Sequence, residues 1–542
     1  MFVLFAAVLI GLHASLLRLP YYWDEAGYYI PAARDLFAGS LIPHSTPSNA
    51  HPPLVMAWIA LWWKVFGQAV VVTRCAMLLL AAFSLLGFFR LARTVANTAV
   101  AAGSTLLVAI YPVFFAQSSL AQIDLPSAGL IFWGLEPYFK NQKSGRAVES
   151  ETRQFSLVHR WPALCWFSLA VLTKETAILV PLALFVWEFV SRFISKKSPS
   201  LAGGAEEGAS GGKNLARALR IGGTNVANSV LLLIPVIPLA AWYAYHYART
   251  GRVFGNPEFF RYNVQGTLHP LRIFLALLLR TWQAVGYLDL YVLTIACLVA
   301  MTFRPIKTAQ GERPRISVPI QMALLAIVLA YLLVLSVVGG AVLARYMLPV
   351  VPLVILISVS TIWRRLPAWK AVVAVVGLAF ISGLFINPPY GFAPEDNLAY
   401  RDYIRLHQRA EAFLLHRYPN GRVLTAWPAS DELTRPYLGY VQKPLQVVRI
   451  EDFSAEQLLS AADQRVPFDV ALVFSTKYQP HTLLDGWQRW RRWKSRYFDF
   501  HVDLPPEAAV SVLGGELIYT ERRRGQWVGI IAIEKIEEAD VR

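Results

Sequence analysis

Long apolar stretches, separated by short polar connections, occupy the first two thirds of the chain. A helix that crosses a bilayer needs about 20 mainly apolar residues. Each stretch therefore predicts a membrane-spanning helix, and about eleven are expected. The predicted bounds are 1–19, 68–89, 96–116, 125–139, 159–173, 176–191, 226–247, 284–303, 319–338, 345–363 and 370–386. A further segment at 270–283 carries Arg272 and Arg280, which favours a helix lying at the membrane interface.

The pattern changes after residue 386, where short strand-like and helical segments alternate. The strand-like segments are 422–427, 445–449 and 469–475, the helical ones are 398–418, 431–440 and 455–462, and 515–520 with 528–534 predicts a hairpin. Alternating strands and helices predict a small α/β layer structure. The predicted fold class is thus a polytopic α-helical membrane protein with a C-terminal soluble α/β domain. Its predicted domains are 1–386, with an outer-face first loop at 20–67, and 387–542.

Composition and charge support this division. The chain is 56% hydrophobic and 16% charged, which is too apolar for a soluble protein of 542 residues. Within residues 1–386, Lys and Arg outnumber Asp and Glu by 31 to 14, so the net charge of +16 belongs to the apolar part. The basic residues concentrate in alternate connections, which the positive-inside rule makes cytoplasmic. The positive charge therefore needs no nucleic-acid partner. The Gly/Ser-rich stretch 198–212 predicts a flexible cytoplasmic loop.

This orientation predicts a multi-pass protein of the inner (plasma) membrane with its first loop and its C-terminal domain on the periplasmic face. Within that domain, Trp487, Trp490 and Trp493 recur every three residues among Arg and Lys. The stripe has two interpretations: a helix that packs its Trp face on the sheet, which is the favoured one, or a contact with the outer leaflet or an anionic glycan.

Ionisable residues gather in the predicted outer loops. The first loop holds an acidic pair among aromatic residues, and a charged pair at a membrane surface is costly to desolvate, which points to chemistry or ion binding. The candidate residues are Asp24 and Glu25, His51 before Pro-Pro-Leu, Asp124 before Leu-Pro, Lys174 in a Thr-Lys-Glu turn, and Arg345 with Tyr346.

These residue types suit transfer of a sugar from a polyprenyl-phosphate carrier. Cationic side chains bind the phosphate and stabilise the charge that grows on it as the glycosidic bond breaks. A carboxylate orients and deprotonates the acceptor hydroxyl on the opposite side of the anomeric carbon. The expected outcome is a single displacement with inversion.

Taken in order, these motifs resemble the GT-C superfamily of integral-membrane glycosyltransferases. The resemblance is to the branch of protein O-mannosyltransferases and lipid A aminoarabinose transferases (glycosyltransferase family 39-like), and it covers nearly all of residues 1–386. It implies a polyprenyl-phosphate-sugar donor, membrane lipids as surroundings, and an acceptor that is a protein hydroxyl, a glycan or a lipid. The aminoarabinose transferases carry a Lys before Pro-Pro-Leu where this chain has His51, which disfavours aminoarabinose transfer to lipid A.

The resemblance also implies roles for the outer-face residues. Asp24 is the expected base or acceptor-orienting carboxylate, with Glu25 beside it and Asp124 as a further catalytic carboxylate. The expected contacts to the donor phosphate are Arg345, Tyr346, Lys174 and His51. A divalent metal ion held by Asp24, Glu25 and His51 is a candidate cofactor, because carboxylates and imidazole suit such ions.

Each residue also has a structural interpretation. In that interpretation Asp24 or Glu25 caps the helix that begins near residue 26, and Asp124 caps the span that follows it. Lys174 and Glu175 form an ion pair at their turn. Arg345 is an interfacial anchor. His51 hydrogen-bonds within a loop.

Two other functions compete with the transferase. A polymerase or ligase of polyprenyl-diphosphate-linked glycans typically depends on a long outer loop with Arg and His between late spans, whereas here the largest early loop carries the acidic pair. A transporter predicts ionisable residues in the middle of helices and repeated halves. The ionisable groups of this chain instead concentrate at the outer ends of the predicted spans.

Overall fold

The computed structural model describes residues 1–147, 157–196, 229–309, 311–463, 467–478, 480, 482, 486–498 and 500–533. The loop predicted at 198–212 lies outside these residues. The helices up to residue 386 are α1 (Phe2–Leu12), α2 (Ile30–Phe37), α3 (Leu54–Phe66), α4 (Val70–Val95), α5 (Thr98–Ile110), α6 (Pro112–Gln117), α7 (Asp124–Ala147), α8 (Leu157–Val171), α9 (Leu179–Lys196), α10 (Val236–Thr250), α11 (Pro257–Asn263), α12 (Pro270–Val285), α13 (Leu290–Met301), α14 (Val318–Val337), α15 (Val351–Arg365) and α16 (Trp369–Phe385).

Within the described residues, three helical segments are long and apolar enough to cross a membrane. They are Val70–Val95, Leu231–Thr250 and Val318–Val337. The pair α12 and α13 adds a fourth if it forms one span, although its two helices meet at a bend of 75°. Shorter apolar helices lie near other predicted spans, among them α1, α5 and α16. The structure therefore agrees with a helical membrane protein.

The bend between α12 and α13 corrects the prediction for this region. A span was expected to begin at residue 284, but α12 runs on to Val285 and α13 begins at Leu290. The chain turns where Leu288 and Asp289 adopt positive φ angles of 45° and 66°. Arg272 and Arg280 of α12 are fully buried in the protein, and an interfacial position of this helix stays a prediction.

Residues after 386 form the predicted α/β unit. Its helices are α17 (Ala399–Arg417), α18 (Ala429–Thr434), α19 (Ala455–Asp463), α20 (Gln488–Phe498) and α21 (Pro506–Leu513). Its strands are β3 (Arg422–Ala426), β4 (Gln446–Ile450), β5 (Val470–Phe474), β6 (Glu516–Arg523) and β7 (Gln526–Ala532); β1 (Lys307–Thr308) and β2 (Gly311–Glu312) form a separate small hairpin. The sheet order is β4-β3-β5-β7-β6.

The first three strands of this sheet run parallel, and β7 pairs antiparallel with β5. Strand β5 is a continuous apolar run whose five residues are all buried, as expected of a strand covered on both faces. The predicted closing hairpin is present as β6 and β7; Glu534, the last residue of the prediction, lies outside the described residues.

The first loop packs on the α/β unit rather than standing alone. Tyr22, Ile30 and Trp63 belong to the same hydrophobic core as residues of α17 and of the sheet. The Tyr22 ring meets Tyr403 of α17 edge-on at 5.2 Å, and the backbone N–H of Tyr21 donates to the carbonyl of Leu438 over 3.1 Å. The loop predicted as part of the first domain is therefore held in place by the second.

Helix α20 carries the tryptophan stripe, and it does not pack on the sheet. It has no buried residue, and Trp487 just before it is 47% exposed. Its contacts include a ring contact of 4.8 Å between Tyr497 and His269, at the start of α12. The favoured interpretation, a tryptophan face buried on the sheet, is therefore wrong. Trp490 and Trp493 are half-buried, and the contact with the outer leaflet or an anionic glycan stays a prediction.

Candidate functional site

The backbone is strained at Trp23, directly before the acidic pair of Asp24 and Glu25. Trp23 has a φ of 48°, in the left-handed region that costs a bulky side chain about 1–2 kcal/mol. Ring contacts with Trp427 at 4.9 Å and Tyr403 at 5.9 Å hold it there. A short helical segment begins directly afterwards at Glu25, and the Asp24 side chain makes no capping hydrogen bond to it. The turn at Trp23 is followed by Asp24 and Glu25, whose carboxylates have different partners.

Glu25 pairs with Arg74 of α4 inside the protein. Both side chains are buried, at 0% and 1% exposure, and Arg74 Nη2 lies 3.0 Å from Glu25 Oε2. Glu25 also accepts hydrogen bonds from the backbone N–H groups of Tyr22 and Ala121, and Arg74 donates to the carbonyls of Ser119 and Pro20. This pair joins the first loop to α4 and to the loop before α7. Glu25 was predicted to be catalytic; the structure places it in this buried pair, and a catalytic role stays a prediction.

Replacing Arg74 by Ala is expected to destabilise the protein by about 3–5 kcal/mol, because it leaves the buried Glu25 carboxylate uncompensated. The double replacement Arg74→Met with Glu25→Gln should recover part of the loss. Thermal unfolding in detergent measures both, with Arg18→Ala, an exposed arginine, as the control. Equal melting temperatures for Arg74→Ala and wild type would contradict the structural role of the pair.

Arg345 gathers the carboxylates of three separate segments. Its Nη2 donates to Asp24 Oδ2, its Nη1 contacts Glu395 Oε1, and its Nε lies 3.2 Å from Asp124 Oδ2. The Arg345 side chain is 2% exposed, so it is not an interfacial anchor. Asp124 and Glu395 are almost as buried, at 2% and 4%, whereas Asp24 is 20% exposed. Asp24 is thus the carboxylate of this cluster that solvent reaches.

A second cation reaches the same cluster. Lys174 donates to the other oxygen of Asp124, so this carboxylate bridges Lys174 and Arg345. The expected Lys174–Glu175 pair is therefore replaced by a longer-range one. Lys174 Nζ also lies 3.8 Å above the ring of Tyr346, and the guanidinium carbons of Arg280 and Arg345 lie 5.4 and 5.5 Å from that ring. Three cations surround one tyrosine.

Helix α12 supports the loop that carries Arg345. Arg280 donates to the carbonyls of Leu343 and Ala341, and Gln283 donates to that of Val342. Arg272, eight residues earlier on the same helix, donates to the carbonyls of Ser336 and Gly340. These side chains fix the backbone between α14 and α15. Sequence reasoning missed this role, because it depends on which loop packs beside α12.

Glu395 and Asp396 were also missed, although they belong to the site. Gln122 donates to Glu395 Oε2 over 3.1 Å, and Gln117 donates to its backbone carbonyl over 3.1 Å. Tyr287 donates to Asp396 Oδ2 over 2.6 Å. The available signal was an acidic pair, Glu-Asp, ten residues after the last apolar helix. Its place beside Arg345 follows only from the tertiary structure.

Asp396 provides a test of burial at the site. Burial raises its pKa to about 6, against the hydrogen bond from Tyr287 and the charge of Arg345, which lower it. The folded state therefore binds this proton more tightly than the unfolded chain does. The ionised form costs stability above pH 6, and that cost fades as the pH falls toward the ordinary value of 3.8.

Asp396→Asn is accordingly expected to stabilise the protein at pH 7.5 by up to about 3 kcal/mol, because it keeps an acceptor for Tyr287 without the buried charge. The gain should shrink at pH 5. Melting temperatures of both proteins between pH 5 and 8 check this, and a difference that stays constant with pH would contradict it.

His51 lies apart from the Arg345 cluster in its contacts. Its Nδ1 is 3.0 Å from Glu175 Oε2, so the turn after α8 touches the first loop through this pair. Burial raises the pKa of Glu175, but the charge and hydrogen bond of His51 and the charge of Lys174 outweigh it and lower the pKa to about 2. His51 thus pairs with Glu175, the residue that follows Lys174, whereas Lys174 itself pairs with Asp124 of the carboxylate cluster.

The predicted metal set is not brought together. Glu25 turns to Arg74, His51 to Glu175 and Asp24 to Arg345. The group of side chains in the described residues that is close enough to share an ion lies elsewhere and contains none of the three. We therefore correct the assignment of a metal to Asp24, Glu25 and His51. A metal requirement of the reaction stays a prediction from the sequence.

A narrow aromatic cleft with a cavity volume of about 30 Å³ adjoins these residues. Tyr28, Tyr29, His51 and Trp242 are among its lining residues. Burial raises the pKa of Tyr29, and the charges of Asp24 and Asp124 raise it further against that of Arg345. Tyr29 thus stands between the cleft and the carboxylate cluster with its hydroxyl protonated. The cleft offers flat apolar faces beside hydrogen-bonding groups.

Comparisons with known proteins agree with these observations. Residues 50–205 match the sequence model of the family described as dolichyl-phosphate-mannose-protein mannosyltransferase. No curated protein matches the chain at a significant level.

Solved structures match over more of the chain. ArnT from Cupriavidus metallidurans in the apo state covers 97% of both chains at 15% identity with a TM-score of 0.51. The same protein bound to undecaprenyl phosphate gives 16% identity, the same coverage and the same TM-score. The apo oligosaccharyltransferase from Archaeoglobus fulgidus matches 87% of this chain and 69% of its own at 12% identity, with a TM-score of 0.43.

At these identities the ArnT match shows the fold, and the family match adds the segment that contains His51, Asp124 and Lys174. Together they confirm the resemblance of this chain to the glycosyltransferases of the GT-C superfamily.

Proposed function

We propose that the chain is a membrane glycosyltransferase that moves a sugar from a polyprenyl-phosphate carrier to an acceptor hydroxyl. The observation that carries this proposal is the Arg345 cluster, in which a buried guanidinium holds the partly exposed carboxylate of Asp24. A buried cation beside an accessible carboxylate supplies both requirements of the reaction, a site for the anionic leaving group and an acceptor for a proton.

The cations around Tyr346 form the proposed phosphate site. Arg345 offers a planar fork that matches two phosphate oxygens, and Lys174 adds a compact charge. Asp124 touches both cations, and we assign it the task of orienting them. Because Asp124 is almost fully buried, this positioning role suits it better than proton transfer.

Phosphate binding and activation of Asp24 are linked in this proposal. A phosphate oxygen that takes the place of Asp24 on Arg345 releases the carboxylate toward the acceptor. The acceptor oxygen then attacks the anomeric carbon while the bond from that carbon to the phosphate oxygen breaks. The electron pair leaves with the phosphate, and the acceptor proton passes to Asp24. Attack opposite the leaving group inverts the anomeric centre.

We place the sugar at the mouth of the aromatic cleft, whose volume of about 30 Å³ is that of one water molecule, so that it has to widen to admit a sugar ring. Tyr28, Tyr29 and Trp242 line it, and flat aromatic faces suit the apolar face of a sugar ring. The acceptor is a protein, glycan or lipid hydroxyl that approaches Asp24 from its solvent side. The basic connections predict that this side is the outer face of the inner membrane.

Native mass spectrometry of the purified protein, released gently from detergent, tests the proposal. The expected result is a bound mass that matches a polyprenyl phosphate or its glycosylated form. Adding undecaprenyl phosphate should also raise the melting temperature of lipid-depleted protein, because a ligand that binds only the folded state stabilises it. The absence of both a bound lipid and a thermal shift would contradict the proposal.

The same spectrum distinguishes the second candidate function. A bound polyprenyl diphosphate that carries an oligosaccharide would replace the transferase by a polymerase or ligase. Arg345→Ala serves as the matched control, since a lipid held by its phosphate should be lost from this variant, whereas a detergent-like lipid held by its chain should stay.

A further inference from the structure

A buried group of ionisable side chains lies in the α/β unit, outside the site described above. His407 and Glu411 are one turn apart on α17, and Glu432 is on α18. The three side chains are 1%, 0% and 0% exposed. One ligand atom from each lies within 4.8 Å of the others. Residues four apart on a helix share one face, so α17 presents both of its side chains to α18.

These carboxylates lack the partners that buried charges need. His407 Nδ1 lies 2.6 Å from Glu432 Oε2 and 3.8 Å from Glu411 Oε1. Both oxygens of Glu411 and Oε1 of Glu432 find no hydrogen-bond donor among the described residues, apart from the contact between the two carboxyl groups, which a shared proton would turn into a hydrogen bond. Among the described residues, His407 forms the ion pairs observed for both Glu411 and Glu432. A buried carboxylate costs several kcal/mol unless a cation reaches it or a proton neutralises it.

We propose that His407, Glu411 and Glu432 bind one divalent transition-metal ion, with Zn²⁺ the best fit. A neutral imidazole and two carboxylates carry a charge of −2, which such an ion balances. Zinc takes nitrogen and carboxylate oxygen ligands at about 2.0–2.2 Å in tetrahedral sites, which sets neighbouring ligand atoms about 3.3 Å apart. The two observed separations, 2.6 and 3.8 Å, lie on either side of that value. All three ligand atoms lie within 4.8 Å of one another, so the side chains have to rotate and close around the ion.

We assign the fourth position of the site to Tyr440. The hydroxyl of Tyr440 is buried and makes no hydrogen bond within the described residues, and the charges of Glu432 and Glu411 act on it. It provides the remaining position of a closed tetrahedral site, either directly or by holding a water molecule. A closed site with protein ligands on all sides is typical of structural rather than catalytic zinc.

The proposed ion has a defined structural consequence. It joins α17 to α18, and His407 stacks on Tyr403 with ring centroids 4.0 Å apart. Tyr403 in turn supports Tyr22 and Trp23 of the first loop. The ion therefore stabilises the surface on which Asp24 is positioned, without taking part in the chemistry.

Metal analysis of the full-length protein, purified through a tag without histidines, tests the proposal. Wild type should contain about one equivalent of zinc per chain, and His407→Ala and Glu411→Gln should contain less than a tenth of that. His416→Ala, an exposed histidine on the same helix, is the matched control and should keep the metal. Equal metal in Glu411→Gln and wild type would overturn the assignment.

A second measurement does not depend on the variants folding. Removing the metal from wild type with a strong chelator should lower its melting temperature, and ZnCl₂ alone should restore it. The competing explanation is a proton shared between Glu411 and Glu432. In that case wild type holds no metal, chelator leaves its melting temperature unchanged and Glu411→Gln is as stable as wild type, which would overturn the proposal.

Discussion

Asp24→Asn is expected to lower the rate of sugar transfer by a factor of about 10²–10⁴, the usual contribution of a positioned general base. Asparagine keeps the size of the side chain and an oxygen for Arg345, but it cannot take the acceptor proton. Donor binding and melting temperature should stay close to wild type, because Asp24 is the exposed member of its cluster. The measurement is consumption of the co-purified glycosylated lipid in vesicles that contain membrane extract as a source of acceptor.

Its neighbour in sequence provides the matched control. Glu25→Gln changes the same kind of group one residue away, but it affects the buried pair with Arg74. We expect this variant to lose stability and folded yield, while the folded fraction retains transfer. Near-normal turnover in Asp24→Asn would remove Asp24 from its assigned role. Equal losses of activity per folded molecule in both variants would instead indicate that the whole acidic pair acts together.

Arg345→Ala is expected to weaken binding of undecaprenyl phosphate about ten- to a hundred-fold, because charge-assisted hydrogen bonds to a phosphate are each worth about 1.5–3 kcal/mol. It should also destabilise the fold, since Asp124 and Glu395 then lose a buried cation. Titration of lipid-depleted protein with the lipid, followed by the shift in melting temperature, measures both effects in one experiment.

Binding and stability are separated by two further variants. Arg345→Lys keeps the charge but not the fork, so it should fold better than Arg345→Ala and still bind the lipid less tightly than wild type. Glu395→Gln in the Arg345→Ala background removes one uncompensated charge, and we expect it to recover stability without recovering lipid affinity. Unchanged affinity in a folded Arg345→Ala would show that the phosphate binds elsewhere.

Sequence reasoning reached the fold because its signals are local. Apolar stretches of the right length predicted helices close to α4, α5, α14, α15 and α16, and alternating strands and helices predicted the α/β unit with its closing hairpin. It was less successful at α12 and α13, where a bend of 75° divides an apolar segment. Such a bend leaves only weak local signals, since Leu288 does not favour positive φ and Asp289, whose residue type tolerates it, is a single residue.

The candidate site was predicted in part for the same reason. Asp24, Asp124, Lys174 and Arg345 were identified one loop at a time, and the structure gathers them into one cluster. Glu25 and His51 have the same residue types in the same loops, yet they pair with Arg74 and Glu175. Chemical type identifies a candidate, but the direction in which a side chain points depends on distant parts of the chain.

The sequence by itself determined that this protein is a helical membrane protein with an α/β unit and with ionisable residues between its apolar stretches, because hydrophobic length and periodicity are properties of neighbouring residues. Only the tertiary structure decided which carboxylate faces Arg345, that Glu395 completes its surroundings, and that the first loop rests on α17. Those facts depend on contacts between residues hundreds of positions apart, such as Asp24 and Arg345. Burial then sets the energies of these contacts, since a charge inside the protein needs a partner that only the fold supplies.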